Sequence, residues 1–131
     1  MSSHTILIAD DDRLFLEAVR ARLEAEGFEV IAVQDAYQAL EQARTRQPDV
    51  LVLDINMPAG NGFSVQQRAD KIEEIAGIPV VYVTGASAEA VDSQAIEKGA
   101  FAVVHKPFET AELLDAIRGA LGYWTDGRVA A

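Results

Sequence analysis

Five widely separated side chains could share one chemistry: Asp10, Asp11, Asp54, Thr84 and Lys106. Each stands at or just past the end of a short apolar run: Ile6–Ala9 before the acidic pair, Val50–Leu53 before Asp54, Ile78–Val83 before Thr84 and Phe101–Val104 before Lys106. Carboxylates, a hydroxyl and an ammonium brought together form a set able to receive a phosphoryl group on an aspartate. Such a cluster is costly unless balanced, because two carboxylates about 4 Å apart repel by roughly 4 kcal/mol at an effective dielectric near 20. Lys106 supplies one compact, mobile positive charge. A hard divalent cation would supply the rest. Oxygen donors, with no cysteine and no paired histidine, favour Mg²⁺ or Mn²⁺ over zinc.

The elements that must position these groups read directly from the hydrophobic pattern. Val50–Leu53 is an uninterrupted apolar run, as in a strand buried on both faces, and Pro58, Gly60 and Gly62 mark the loop that follows Asp54. Ile6–Ala9, Phe28–Val33, Ile78–Val83 and Phe101–Val104 read as four further strands. Between them the spacing predicts helices over Arg13–Glu26, from Asp35 with Ala36, Ala39, Leu40 and Ala43 on one face, and over Gly62–Ile75 and Ala88–Lys98. A fifth spans Thr110–Leu121, turning Leu113, Leu114, Ile117 and Leu121 inward. Asp12 and Asp35 are expected to cap helices, Ser87 to cap the apolar-poor fourth one, and Gly27 and Gly99 to stop the helices before them. Strands alternating with helices give an α/β fold, a doubly wound five-stranded parallel sheet of order 2-1-3-4-5 covered on both faces, a three-layer sandwich. In that order the carboxyl ends of strands one, three, four and five lie side by side, and so do the five reactive groups.

Composition narrows the classes. The chain has 131 residues, half of them apolar, which suits one domain over about 1–121 with a loose tail at 122–131. Without cysteine there is no disulfide or thiolate chemistry, in keeping with a cytoplasmic setting. A formal net charge of −10 disfavours direct nucleic-acid or anionic-lipid binding, and the N-terminal apolar run is too short for a signal peptide or membrane span.

The chain resembles the receiver domains of two-component response regulators, a CheY-like superfamily with a flavodoxin-like fold. The resemblance rests on Asp10-Asp11, on Asp54 within Leu-Asp-Ile-Asn-Met-Pro with Gly62 after it, on Thr84-Gly85 and on Lys106-Pro107-Phe108. It covers about Thr5 to Leu121 and implies that Asp54 accepts a phosphoryl group from the histidine of a sensor kinase or phosphotransfer protein. It further implies that Asp11 and Asp54 hold Mg²⁺ directly, Asn56 by its backbone carbonyl and Asp10 through water. Thr84 and Lys106 would bind the phosphoryl oxygens, and the Lys106-Pro107 peptide would be cis. The implied partners are that phosphodonor and a downstream protein met through the face of the fourth helix, fifth strand and fifth helix, the chain being a monomer or a phosphorylation-dependent dimer. One departure stands out: the switch position, three before the lysine, is Val103 rather than an aromatic, and Phe101 two residues earlier reads as core.

Plainer roles compete at single positions. Asp12 reads as a helix cap rather than a ligand, His105 as a surface residue, and Leu14 and Phe15 as part core and part kinase-docking surface. An alternative of another class is a haloacid-dehalogenase-like phosphatase with Asp10 as nucleophile, Asp12 two residues on, and Thr84 and Lys106 in support. It lacks a substrate cap and a late acidic pair.

Overall fold

A computed structural model describes residues 4–55, 62–85, 99–106 and 109–126, with the backbone alone at 62 and 123–126. Its elements are β1 (Thr5–Ala9), α1 (Arg13–Ala25), β2 (Glu29–Val33), α2 (Ala36–Arg46), β3 (Val50–Asp54), α3 (Gly62–Ala69), β4 (Val80–Thr84), β5 (Ala102–His105) and α4 (Thr110–Asp126). The strands pair in parallel in the order β2-β1-β3-β4-β5, as the pattern predicts.

Alternation along the strands feeds two cores. Ile6, Ile8, Val50, Val52, Val81 and Val83 pack under α1 and α4, against Leu16, Leu23, Leu113 and Ile117. The intervening Leu7, Leu51, Leu53 and Tyr82 pack on the other face against the alanine stripe Ala36, Ala39 and Ala43 of α2 and against Phe63 and Val65 of α3. Every residue of β3 and β4 is buried, so these two strands cannot shift without emptying both cores. The predicted caps form: Asp12 accepts from the Phe15 amide at 3.1 Å and Asp35 from the Gln38 amide at 2.7 Å. Gly27 takes a φ of +95°, the left-handed conformation that ends α1 cleanly.

Several boundaries differ from the sequence reading. The helix expected over Gly62–Ile75 stops at Ala69. Beyond it the amides of Lys71, Ile72 and Ile75 bond to carbonyls three residues back, giving tight turns. Ile75 is buried all the same, so its apolar signal is satisfied without a helix. β4 begins at Val80 because Pro79 has no N–H for the ladder, although its carbonyl accepts from Leu51 at 3.0 Å. β5 is displaced by one residue, which leaves Phe101 outside the strand, 37% exposed rather than core. Its ring lies so close to the last helix that a Cβ on Gly119 would meet it at 3.1 Å. That helix runs on through Gly122 to Asp126 instead of ending at Leu121; an interior glycine costs a helix only about 1 kcal/mol. The predicted helix over Ala88–Lys98 with Ser87, the loop residues Pro58 and Gly60, and the tail beyond 126 lie outside the described residues.

One buried polar contact ties the layers together. The Tyr82 hydroxyl donates to Oε1 of Gln66 on α3, and the Tyr82 ring meets Phe63 edge-on with centroids 4.9 Å apart. Burial, and secondarily the Asp70 charge, push the Tyr82 phenol far above its ordinary pKa, so it remains a donor at any physiological pH. Replacing Tyr82 by Phe keeps the ring and deletes the donor. The expected result is a loss of about 1–2 kcal/mol in stability, read by urea unfolding with an unchanged m-value.

Candidate functional site

The carboxyl edge of the sheet is built by hydrogen bonds that run one residue past the strands. The Asp10 amide donates to the Val33 carbonyl at 3.1 Å, Ile55 to Val83 at 3.2 Å and Lys106 to Thr84 at 2.8 Å. The backbone of Asp10, Asp54, Thr84 and Lys106 is therefore held by a neighbouring strand or lies within one. Asp54 and Thr84 are the last residues of β3 and β4. Asp10 and Lys106 directly follow β1 and β5.

The side chains gather as that edge requires. Asp10, Asp54 and Thr84 are buried and Asp11 is exposed. Carboxylate oxygens of Asp10, Asp11 and Asp54 all lie within 4.8 Å of one another. Lys106 reaches across from β5: its Nζ is 2.6 Å from Oδ2 of Asp10 and 3.7 Å from Oδ2 of Asp54. The other oxygen of Asp10 accepts the Asp12 amide at 2.9 Å. Burial alone would lower the pKa of Lys106. The hydrogen bond it donates to Asp10 and the charges of Asp10, Asp54 and Asp11 outweigh it and hold the ammonium above its ordinary value. Lys106 is thus a permanent cation facing three carboxylates. With those carboxylates ionised, the cluster carries a surplus of two negative charges on hard oxygen donors, which suits Mg²⁺ or Mn²⁺ in charge and in ligand chemistry.

Four of the predicted site residues, Asp10, Asp11, Asp54 and Lys106, meet in one cluster. Thr84 stands on the same edge, fully buried. Gly62 is the first residue of α3. Val103 is half-buried, paired in register with Tyr82 and packed on the α2–α3 side of the sheet. Asn56 and Pro107 lie outside the described residues. His105, expected at the surface, is half-buried. Leu14 is 79% exposed. Phe15 does something the sequence did not announce: its ring centroid lies 4.4 Å from the Lys106 ammonium. The sequence reads it as part core and part docking surface, and nothing in local spacing relates it to a lysine 91 positions away.

Comparison with known proteins agrees with this geometry. The profile of a family described as the response regulator receiver domain matches residues 6–118. The polar-differentiation response regulator DivK of Brucella ovis is 29% identical over 118 residues, covering 90% of this chain and 96% of its own. A CheY-like response regulator receiver domain protein from Methanospirillum hungatei superposes with a TM-score of 0.89 at 28% identity, over 97% of this chain and 100% of the other. The chemotaxis response regulator CheY4 of Vibrio cholerae gives 0.85 at 25% identity, over 92% and 100%.

The charge surplus makes a direct prediction. Mg²⁺ at about 100 times its dissociation constant should stabilise the fold by about 2.7 kcal/mol, seen as a rise in melting temperature that EDTA reverses. Asp11→Asn should remove most of that rise. An equal rise in the variant would place the ion elsewhere.

Proposed function

Since this chain belongs to the response regulator receiver domain family of two-component signalling, we propose that it is a Mg²⁺-dependent phosphoacceptor with Asp54 as the modified residue. The observation that carries this reading is the Lys106 ammonium, 2.6 Å from Asp10 and 3.7 Å from Asp54, a cation standing where a phosphoryl group on Asp54 would need one.

In this reading an Asp54 carboxylate oxygen attacks the phosphorus of a phosphohistidine. The P–N bond breaks as the P–O bond forms, the imidazole keeps the electron pair and takes up a proton, and Asp54 becomes a mixed anhydride. Transfer of this kind asks for positioning and charge neutralisation more than for covalent chemistry. Lys106 pairs with one oxygen of the moving group and the Thr84 hydroxyl donates to another. Asp11, Asp54 and the Asn56 carbonyl would hold the metal directly, with Asp10 reaching it through water. The ion's contribution there is neutralisation of the remaining phosphoryl charge. The engaged state of Asp10 argues against a phosphatase built on it: one oxygen is taken by Lys106 and the other by the Asp12 amide.

The phosphodonor is a sensor histidine kinase or a histidine phosphotransfer protein. The downstream target is a protein, met on the side of β5 and α4 next to Thr84 and Lys106. The chain's charge of −10 argues against nucleic acid. Among the described residues no helix is long and apolar enough to cross a membrane. A cytoplasmic protein, monomeric or dimerising on phosphorylation, fits this role.

Intact-mass measurement with Mg²⁺ and acetyl phosphate tests the assignment. The expected result is an adduct of one phosphoryl group, trapped by borohydride at Asp54, absent in Asp54→Asn and retained at a lower rate in Asp10→Asn. Undiminished labelling of Asp54→Asn would overturn the proposal, and loss of label only in Asp10→Asn would favour the phosphatase.

A further inference from the structure

The Lys106 ammonium is enclosed by a closed circuit of contacts that involves one residue with no polar side chain. Asp10 Oδ2 pairs with Nζ at 2.6 Å, and Asp10 Oδ1 accepts the Asp12 amide at 2.9 Å. Asp12 in turn accepts the Phe15 amide at 3.1 Å, and the Phe15 ring returns to Nζ at 4.4 Å from its centroid. The ring is itself held, half-buried against the core beneath α1 and α4. Building on the phosphoacceptor reading above, we infer that Phe15 is a positioning residue, whose ring face holds the Lys106 ammonium at the acceptor before any phosphoryl group arrives.

The physical case rests on what each neighbour asks of the ammonium. A lysine carries three N–H donors on a flexible four-carbon stem, and in water that stem samples many rotamers. Asp10 fixes one donor, and Asp54 at 3.7 Å lies beyond hydrogen-bond distance. An aromatic face attracts the cation through its quadrupole and claims no particular N–H. The ammonium can therefore exchange a carboxylate oxygen for a phosphoryl oxygen while its seat on the ring is kept. A polar residue at position 15 would compete for a donor, and an aliphatic one would cover the ammonium without attracting it. Phe15 sits in the first turn of α1, and the Asp12 cap that starts this helix follows directly on the acidic pair. The helix start thus sets the acidic pair and the ring together.

The test compares the full chain with Phe15→Leu and Phe15→Tyr, the rate of Asp54 labelling by acetyl phosphate and Mg²⁺ being read by intact mass. Phe15→Leu should react about three- to tenfold more slowly, the span that loss of a cation–π contact allows, while Phe15→Tyr stays within about twofold of the parent. Equal rates for Leu and parent would overturn the inference; so would equal slowing in Leu and Tyr, which would mean packing alone. Phe15→Met replaces Leu if the latter does not fold. Ring-current shifts give a reading independent of turnover: the Lys106 Cε protons should resonate upfield in the parent and move back in the Leu variant. Unshifted Cε protons in the parent would refute the contact. If the parent takes no label at Asp54, the functional reading fails, whereas a labelled parent with an indifferent Leu variant sinks only the role of Phe15.

Discussion

One ammonium reconciles this sheet edge with its own charge. Asp10 and Asp54 are each at least 95% buried at the ends of adjacent strands, and Asp11 brings a third carboxylate within 4.8 Å. Uncompensated, ions in such a place cost several kcal/mol each to desolvate. Lys106 offsets part of this from the far side of the sheet, since β5 is separated from β1 by β4 and β3. The ion pair therefore spans the sheet's whole active width, and the strand order determines whether it can form. The residual negative charge on hard oxygen donors suits the edge to a divalent cation, in keeping with the proposed phosphoacceptor role.

Among the described residues, the scaffold meets this demand with a backbone held firmly at Asp10, Asp54, Thr84 and Lys106 and with side chains that can adapt. β3 and β4 are buried along their full length, and the ladder continues past the strands at Asp10, Ile55 and Lys106. Displacing that backbone would break hydrogen bonds and open voids in both cores. The lysine stem and the threonine hydroxyl can reorient at far smaller cost. A rigid edge carrying one mobile cation is the arrangement expected where charge must be met at a fixed point in space.

Much of this was legible beforehand, for a physical reason. Buried parallel strands are continuous apolar runs, and their ends are marked by the first polar residue, so Val50–Leu53 followed by Asp54 announced both the element and the place of the candidate cluster. The caps at Asp12 and Asp35 were equally readable, because short-range hydrogen bonding depends on residues three apart. Boundaries set by tertiary contacts were not. Ile72 and Ile75 carry a helical apolar spacing, yet tight turns bury Ile75 as well as a helix would. Phe101 looked like core and instead leans on Gly119, a partner 18 residues away. The Phe15–Lys106 and Tyr82–Gln66 contacts fall in the same class, since each joins residues whose types are ordinary and whose meeting only the fold decides.

The row of the sheet one step below the site shows how such long-range choices fit together. Leu53, Tyr82 and Val103 stand side by side in register on β3, β4 and β5. Tyr82 is wholly buried, and the small β-branched Val103 beside it leaves room for its ring. An aromatic at both positions would crowd one row, and overpacking typically costs about 1–3 kcal/mol. With Val103 on β5, Tyr82 is the one aromatic of this row. Because the Tyr82 hydroxyl is anchored on α3, the strand that ends in Thr84 is fastened to the helix that begins at Gly62, eight residues beyond Asp54. β4 and α3 are thus joined by one buried hydrogen bond, two residues below the carboxyl edge of the sheet.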